Sequence, residues 1–194
     1  MISHTFKLIA PVVLSLTLIA CGNDEAQADG ESNEDSTNAE VSSDGTENNS
    51  DSPCDLFTVR EVENMFGIGE NIKLTSQDEV LTHPTCTYTW EDGKVTHSQE
   101  VAGQTIESKL SSKMMIVMGK KNAIDVDYNA SIRVYQDAVS VSGVGKMATW
   151  SDKRAQLSFL AKGNLLHVHV RASNDSEENK AKAIEVANVI ISRL

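Results

Sequence analysis

The residues best placed to do chemistry are His167 and His169 in the stretch Leu165-Leu166-His167-Val168-His169-Val170. On a strand, residues two apart point to one face, so the two imidazoles would sit roughly 7 Å apart, a spacing that suits a metal ion. Such a site needs further ligands, and His83 and His97 qualify only by elimination. The simpler expectation is that Leu166, Val168 and Val170 face the core while both histidines face solvent or a helix edge, with no metal and no cofactor. Ser and His are plentiful, but neither G-x-S-x-G nor H-E-x-x-H occurs, so a hydrolase has nothing to be built on. Gly143-Val144-Gly145 lacks the third glycine of a nucleotide loop and reads as a tight turn that lets Trp150 pack. Met114, Met115 and Met118 read as core filler. No catalytic residue is nominated, and the expectation is a protein that is not an enzyme.

Several elements would have to position these residues. Thr58 and Glu61 form a capping box, Phe57 and Val62 stand at the positions of a hydrophobic staple, and Gly67 stops a short helix. Cys86 to Trp90 alternates as a strand should, and Asp92-Gly93 marks a turn into a second strand, Lys94 to Val101. From Gln104 to Lys121, Ile106, Leu110, Met114, Val117 and Met118 recur at near-helical spacing and predict a helix; the Met114–Met118 run is also compatible with a buried strand. Ser131 to Val141 reads as extended. Gln156 to Leu160 and Leu165 to Val170 read as strands joined at Lys162-Gly163-Asn164. Ser176 to Leu194 predicts a helix with Ile184, Ala187, Ile191 and Leu194 as its apolar stripe. Tyr88-Thr89-Trp90 and Ala148-Thr149-Trp150 each lead into a hairpin and then a helix, which suggests an internal duplication. The fold class is α+β: one domain of antiparallel sheet packed with two longer helices and a short N-terminal one.

Charge divides the chain of 194 residues, whose formal net charge is −11. Residues 22–52 hold ten carboxylates and no Lys or Arg, and Lys7 is the sole cation before them; the remainder, 53–194, keeps 16 basic and 18 acidic side chains, a net of −2. Neither part presents the basic face that nucleic acid requires. The acidic stretch has no aromatics and no periodicity, which predicts a disordered spacer about 30 Å from end to end; acidic runs can also bind Ca²⁺ or basic partners, though a solvated spacer is the commoner use.

Ahead of it, Leu8 to Ala20 is uncharged but too short for the roughly 20 residues that span a bilayer, and it matches the apolar region of a secretory signal. Leu18-Ile19-Ala20-Cys21 resembles the lipobox of bacterial lipoproteins. That resemblance implies removal of residues 1–20, thioether lipidation and N-acylation at Cys21, and a lipid-bilayer anchor for an exported protein. With Gly22 rather than Asp at the next position, it implies an outer-membrane address facing the periplasm in a host with two membranes. Residues 21–52 would then be lipidated cysteine plus tether, and 53–194 the folded domain. With Cys21 acylated, Cys54 and Cys86 remain as a pair, and in an exported protein the simplest use is a disulfide closing a loop of about 33 residues, worth ~3.7 kcal/mol.

Residues 54–62 (CDLFTVREV), 86–90 (CTYTW), 143–150 (GVGKMATW) and the helix from 176 together resemble a loose set of uncharacterised bacterial lipoproteins. The resemblance adds weight to the disulfide and to a single domain, and it implies no activity. The functional expectation is a membrane-anchored envelope lipoprotein with a non-catalytic protein- or ligand-binding domain, its partner another envelope protein. The rival is an exported hydrolase or metal-dependent enzyme whose site is invisible in the sequence.

Overall fold

The computed structural model describes residues 52–80 and 82–194. The lipobox, Cys21 and the acidic run lie outside the described residues.

The described chain is α+β, with one seven-stranded sheet. A 3₁₀ turn, Pro53–Leu56, leads to helix α1, Val59–Phe66. Its capping box is formed: Thr58 Oγ1 accepts from the Glu61 N–H while the Glu61 carboxylate accepts from the Thr58 N–H at 2.8 Å. Phe57 and Val62 are buried, and Gly67 closes the helix in the left-handed region at φ 60°. Strands β1 (Thr75–Val80), β2 (Pro84–Val101) and β3 (Gln104–Lys121) form a meander. Helix α2, Asp125–Ile132, crosses to the far edge, from which β4 (Val139–Ser140), β5 (Met147–Ser151), β6 (Gln156–Ala161) and β7 (Asn164–Arg171) meander back. β7 pairs antiparallel with β3, giving the order β1-β2-β3-β7-β6-β5-β4, and helix α3, Ser176–Arg193, ends the fold.

The core lies on one face of the sheet. Tyr88, Trp90, Met114, Ile116, Trp150, Leu157, Phe159, Leu166, Val168 and Val170 alternate onto it and are covered by α1 and α3. The buried stripe of α3 is Ala183, Val186, Ala187 and Ile190, one step round from the expected stripe; Ile184 and Ile191 are half-buried and Leu194 is exposed. Cys54 and Cys86 are joined as a disulfide with Cα atoms 5.0 Å apart, which pins the 3₁₀ turn to β2. The Tyr88 hydroxyl seals the same corner, donating within reach of the Cys54 carbonyl (3.2 Å) and the Phe57 carbonyl (3.0 Å).

Three expectations are corrected. Gln104–Lys121 is strand β3, not a helix: even-numbered Met114 and Ile116 face the core, while Lys113, Met115 and Val117 take the other face. The sheet therefore packs against a single long helix. Asp92-Gly93 does not reverse the chain but sits in a register shift between Trp90 and Val95, and the hairpin turns instead at Ala102-Gly103, both at positive φ. Residues 131–141 hold the end of α2, a turn and the two-residue β4 rather than a long extended segment. The two Trp motifs do share a detail, since each indole N–H donates to the Asp two residues on, Asp92 and Asp152. No twofold relates the halves. β3 and β6 run parallel on either side of β7, whereas an axis normal to the sheet would set them antiparallel. An axis along β7 would put Trp90 and Trp150 on opposite faces, and they share one.

Candidate functional site

The far half of the β2–β3 hairpin leaves the sheet. β1 pairs with β2 at Pro84–Thr89 and β7 with β3 at Lys113–Lys121, so beyond them the hairpin is a two-stranded ribbon. Its exit is set by Asp92. Residues 91–94 of β2 stand opposite Ser111 alone on β3, an irregularity that bends the strand. The Asp92 carboxylate holds the bend, accepting from Ser112 Oγ (2.6 Å), Trp90 Nε1 (3.0 Å) and the Lys94 N–H (3.2 Å). Burial raises this carboxyl, but those hydrogen bonds outweigh it and hold it below the usual aspartate range. At the root of the ribbon, Asn174 reaches across from the β7–α3 loop, accepting from the Thr96 N–H (3.0 Å) and donating to Thr96 Oγ1 (2.8 Å).

The ribbon has two unlike faces. Register puts Val95, His97, Gln99 and Val101 on one face with Leu110, Ser108, Ile106 and Gln104, and Thr96, Ser98, Glu100, Thr105, Glu107 and Lys109 on the other. Val95 is buried at the root, while Leu110, Ile106 and Val101 are 38%, 49% and 43% exposed towards the tip. The apolar face opens at its root into a groove of 330 Å³ whose far wall is polar, with Arg171, Asn174, Asp152 and Ser176.

His167 and His169 lie on the sheet face opposite the core. Half of that face, over β5–β7, is covered by α2 and the turn after it, where Tyr128 bonds Thr149 and a small polar network forms. Gln156 Nε2 donates to Ser158 Oγ (2.9 Å) and to the Tyr135 hydroxyl, and lies 3.0 Å from His167 Nδ1, which is 2.8 Å from Ser158 Oγ. Burial first, then the neighbouring imidazoles of His169 and His83, push His167 down to about 4. His169 is also pushed to about 4, by burial above all and then by the cations of Lys113, Arg154 and Arg171, against a hydrogen bond to the Arg154 backbone. Both rings are neutral at pH 7.

No family model, no curated protein and no solved structure matches the chain.

Function therefore has to be read from geometry. No group of three or more His, Cys, Asp or Glu among the described residues converges as a metal site, and the structure does not bring His97 to the His167–His169 pair. The Ser158–His167 contact has the form of a nucleophile and base. Ser158, however, is fully buried beneath Tyr135, so no substrate atom reaches its hydroxyl; the network instead fastens the 133–137 turn to the sheet. Tyr135, Gln156 and Ser158 escaped the sequence reading. The signal for Gln156 and Ser158 is their alternation with Leu157 and Phe159, which marks a strand with a polar second face; Tyr135, in the turn after α2, has no such signal. Gly143 and Gly145 do form a tight turn, at φ 81° and 55°, with the Lys146 N–H donating to the Leu160 carbonyl at 2.8 Å.

Proposed function

We propose that the protein is a lipid-anchored envelope lipoprotein whose folded domain is non-catalytic and binds another envelope protein through the ribbon. The lipobox-like Leu18–Cys21 supports the anchor, and the acidic segment supports reach away from the membrane. The observation that carries the binding role is the ribbon itself. Val101, Ile106 and Leu110 make an exposed apolar row on one of its faces, and strand edges beyond the sheet offer unpaired backbone groups. An extended partner segment with alternating apolar side chains fits such a surface, adding a strand while its side chains meet the row.

The test places a photo-crosslinking side chain at position 106 or 101, and as control at 105 or 107, in the acylated chain in its own envelope. The expected result is one defined protein adduct from 106 and 101, absent from the control positions and lost with Leu110→Lys. Equal adducts from both faces, or none, would overturn the assignment.

A further inference from the structure

Three cations gather where β7 meets β3 on the sheet face away from the core. Lys113 and Arg171 are direct cross-strand partners there, their Cβ atoms about 5 Å apart. Like charges so placed repel, and a fold that keeps such a pair breaks a local rule of sheet design, as functional sites do. Arg154 is brought to them by the turn between β5 and β6. Ala155 closes that turn at φ 47°, its N–H donating to the Asp152 carbonyl (3.0 Å) and its carbonyl accepting from the Val170 N–H of β7 (3.0 Å). The Arg154 guanidinium then stands 5.0 Å from the centre of the Tyr135 ring, which steadies it. The ring of His169 lies among the three and feels the charge of each.

All three cations are exposed, and none forms an ion pair among the described residues. The flanking acids are engaged elsewhere: Glu91 accepts from Ser111 Oγ, Asp137 from Ser151 Oγ and the Lys153 N–H, and Asp152 from Ser176 Oγ and the Trp150 indole. Register continues the Lys113–Arg171 row through Thr89 and Thr75, and the next row holds His169, Met115, Thr87 and Gln77. The floor beside the cations is therefore uncharged. Along β1 the first carboxylate on that face is Glu79, a further row away.

We propose that Lys113, Arg154 and Arg171 form a binding site for a phosphomonoester group, borne by a small solute or by a lipid headgroup. A phosphomonoester presents three terminal oxygens, one for each cation, whereas a carboxylate presents two in a plane. The planar guanidinium forks match phosphate bidentately, and Lys113 adds a point charge. A bound anion also cancels the Lys113–Arg171 repulsion, so the juxtaposition that destabilises the free fold strengthens the complex. The site is separate from the apolar face of the ribbon, although Arg171 also lines the groove at the ribbon's root.

The test uses the isotope-labelled chain from residue 21 onward with Cys21→Ser, which keeps every described residue, at neutral pH and low salt. In one arm, glycerol phosphate should shift the side-chain N–H resonances of Arg154 and Arg171 and the amides of Lys113 and His169 to saturation. In the other, vesicles of phosphatidic acid should bind the chain while those of phosphatidylcholine do not. A response in either arm supports the site, and the arm that responds gives the source of the phosphate. Lys113→Gln and Arg171→Gln should each weaken binding about fivefold, the worth of one cation facing phosphate, and Lys113→Gln/Arg154→Gln/Arg171→Gln should abolish it. Lys113→Gln should also raise Tm, because it relieves the repulsion, which separates lost binding from lost folding. No response in either arm, an equal response to succinate, binding that survives in the triple variant, or a lowered Tm in Lys113→Gln overturns the proposal.

Discussion

Acid should unfold this domain through two histidines before it touches the carboxylates. His167 and His169 are held down to about 4 in the fold against 6.5 when free, chiefly by burial. The unfolded chain therefore takes up their protons first as pH falls. The stability that rests on neutral rings is complete above about pH 6.5 and is lost progressively towards pH 4. Over the 1.5 units from pH 6.5 to 5, one such group costs about 2 kcal/mol at 1.36 kcal/mol per unit, so the pair costs about 2–4 kcal/mol once partial solvent access is allowed for. Carboxylates do not confuse the window. Glu61, held at about 2 first by its hydrogen bond from Arg193, and the lowered Asp92, Asp127, Asp137 and Asp152 lose their contribution only as pH falls below their ordinary range near 4. Urea unfolding followed by the fluorescence of the buried Trp90 and Trp150 should show a midpoint about 1–2 M lower at pH 5 than at pH 7.5, taking about 2 kcal/mol per molar for the dependence on urea. His169→Gln should remove about half of the slope. A midpoint that stays constant between pH 7.5 and 5, or a fall that persists in His167→Gln/His169→Gln, would refute the reasoning.

The turn before β5 gives a second prediction. A Cβ on Gly145 would lie 2.5 Å from the Leu160 carbonyl oxygen at φ +55°, so Gly145→Ala should cost about 2–4 kcal/mol and lower Tm by roughly 10 °C. Gly143→Ala, with nothing within 4 Å of its Cβ, should cost clearly less in the same thermal scan. Replacing both Cys54 and Cys86 by Ser should cost about 3–4 kcal/mol in urea unfolding, a loss that reductant reproduces in the native chain and does not deepen in the variant.

The parts of the fold that were legible in the sequence are those set by neighbours in the chain. The α1 capping box, the Gly67 stop, the Lys162-Gly163 turn and the β6–β7 hairpin need only a few adjacent residues to define them. β3 was misread because Ile106, Leu110, Met114 and Met118 are four apart, a spacing that satisfies helical and strand periodicity alike. What decided between them was distant: β2 and β7 on either side supply the hydrogen bonds, and the second face of β3 is covered only in part. The ribbon was hidden for a related reason. Asp92-Gly93 has the composition of a hairpin turn, yet Trp90 and Ser112, far apart in sequence, capture the aspartate and carry the strand onward. The His pair was rightly placed on one strand face away from Leu166, Val168 and Val170. What covers it, Tyr135 and the turn after α2, could not be read from its own strand.

The disulfide also has a mechanical meaning. In an anchored chain whose ribbon is engaged, tension acts between Ser52 and the hairpin tip. Cys54 passes that tension to Cys86, which lies on β2, the strand that runs on without a break to the tip at Val101, about 50 Å of contour at ~3.3 Å per residue. The loop that the bond encloses, with α1 and edge strand β1, is short-circuited and feels no pull. With the bond reduced, the same pull would enter through the 3₁₀ turn and α1 and peel β1 from β2 one hydrogen bond at a time. On the proposed function, oxidation at this pair thus sets whether an anchored domain meets force along a covalent line or as a zipper.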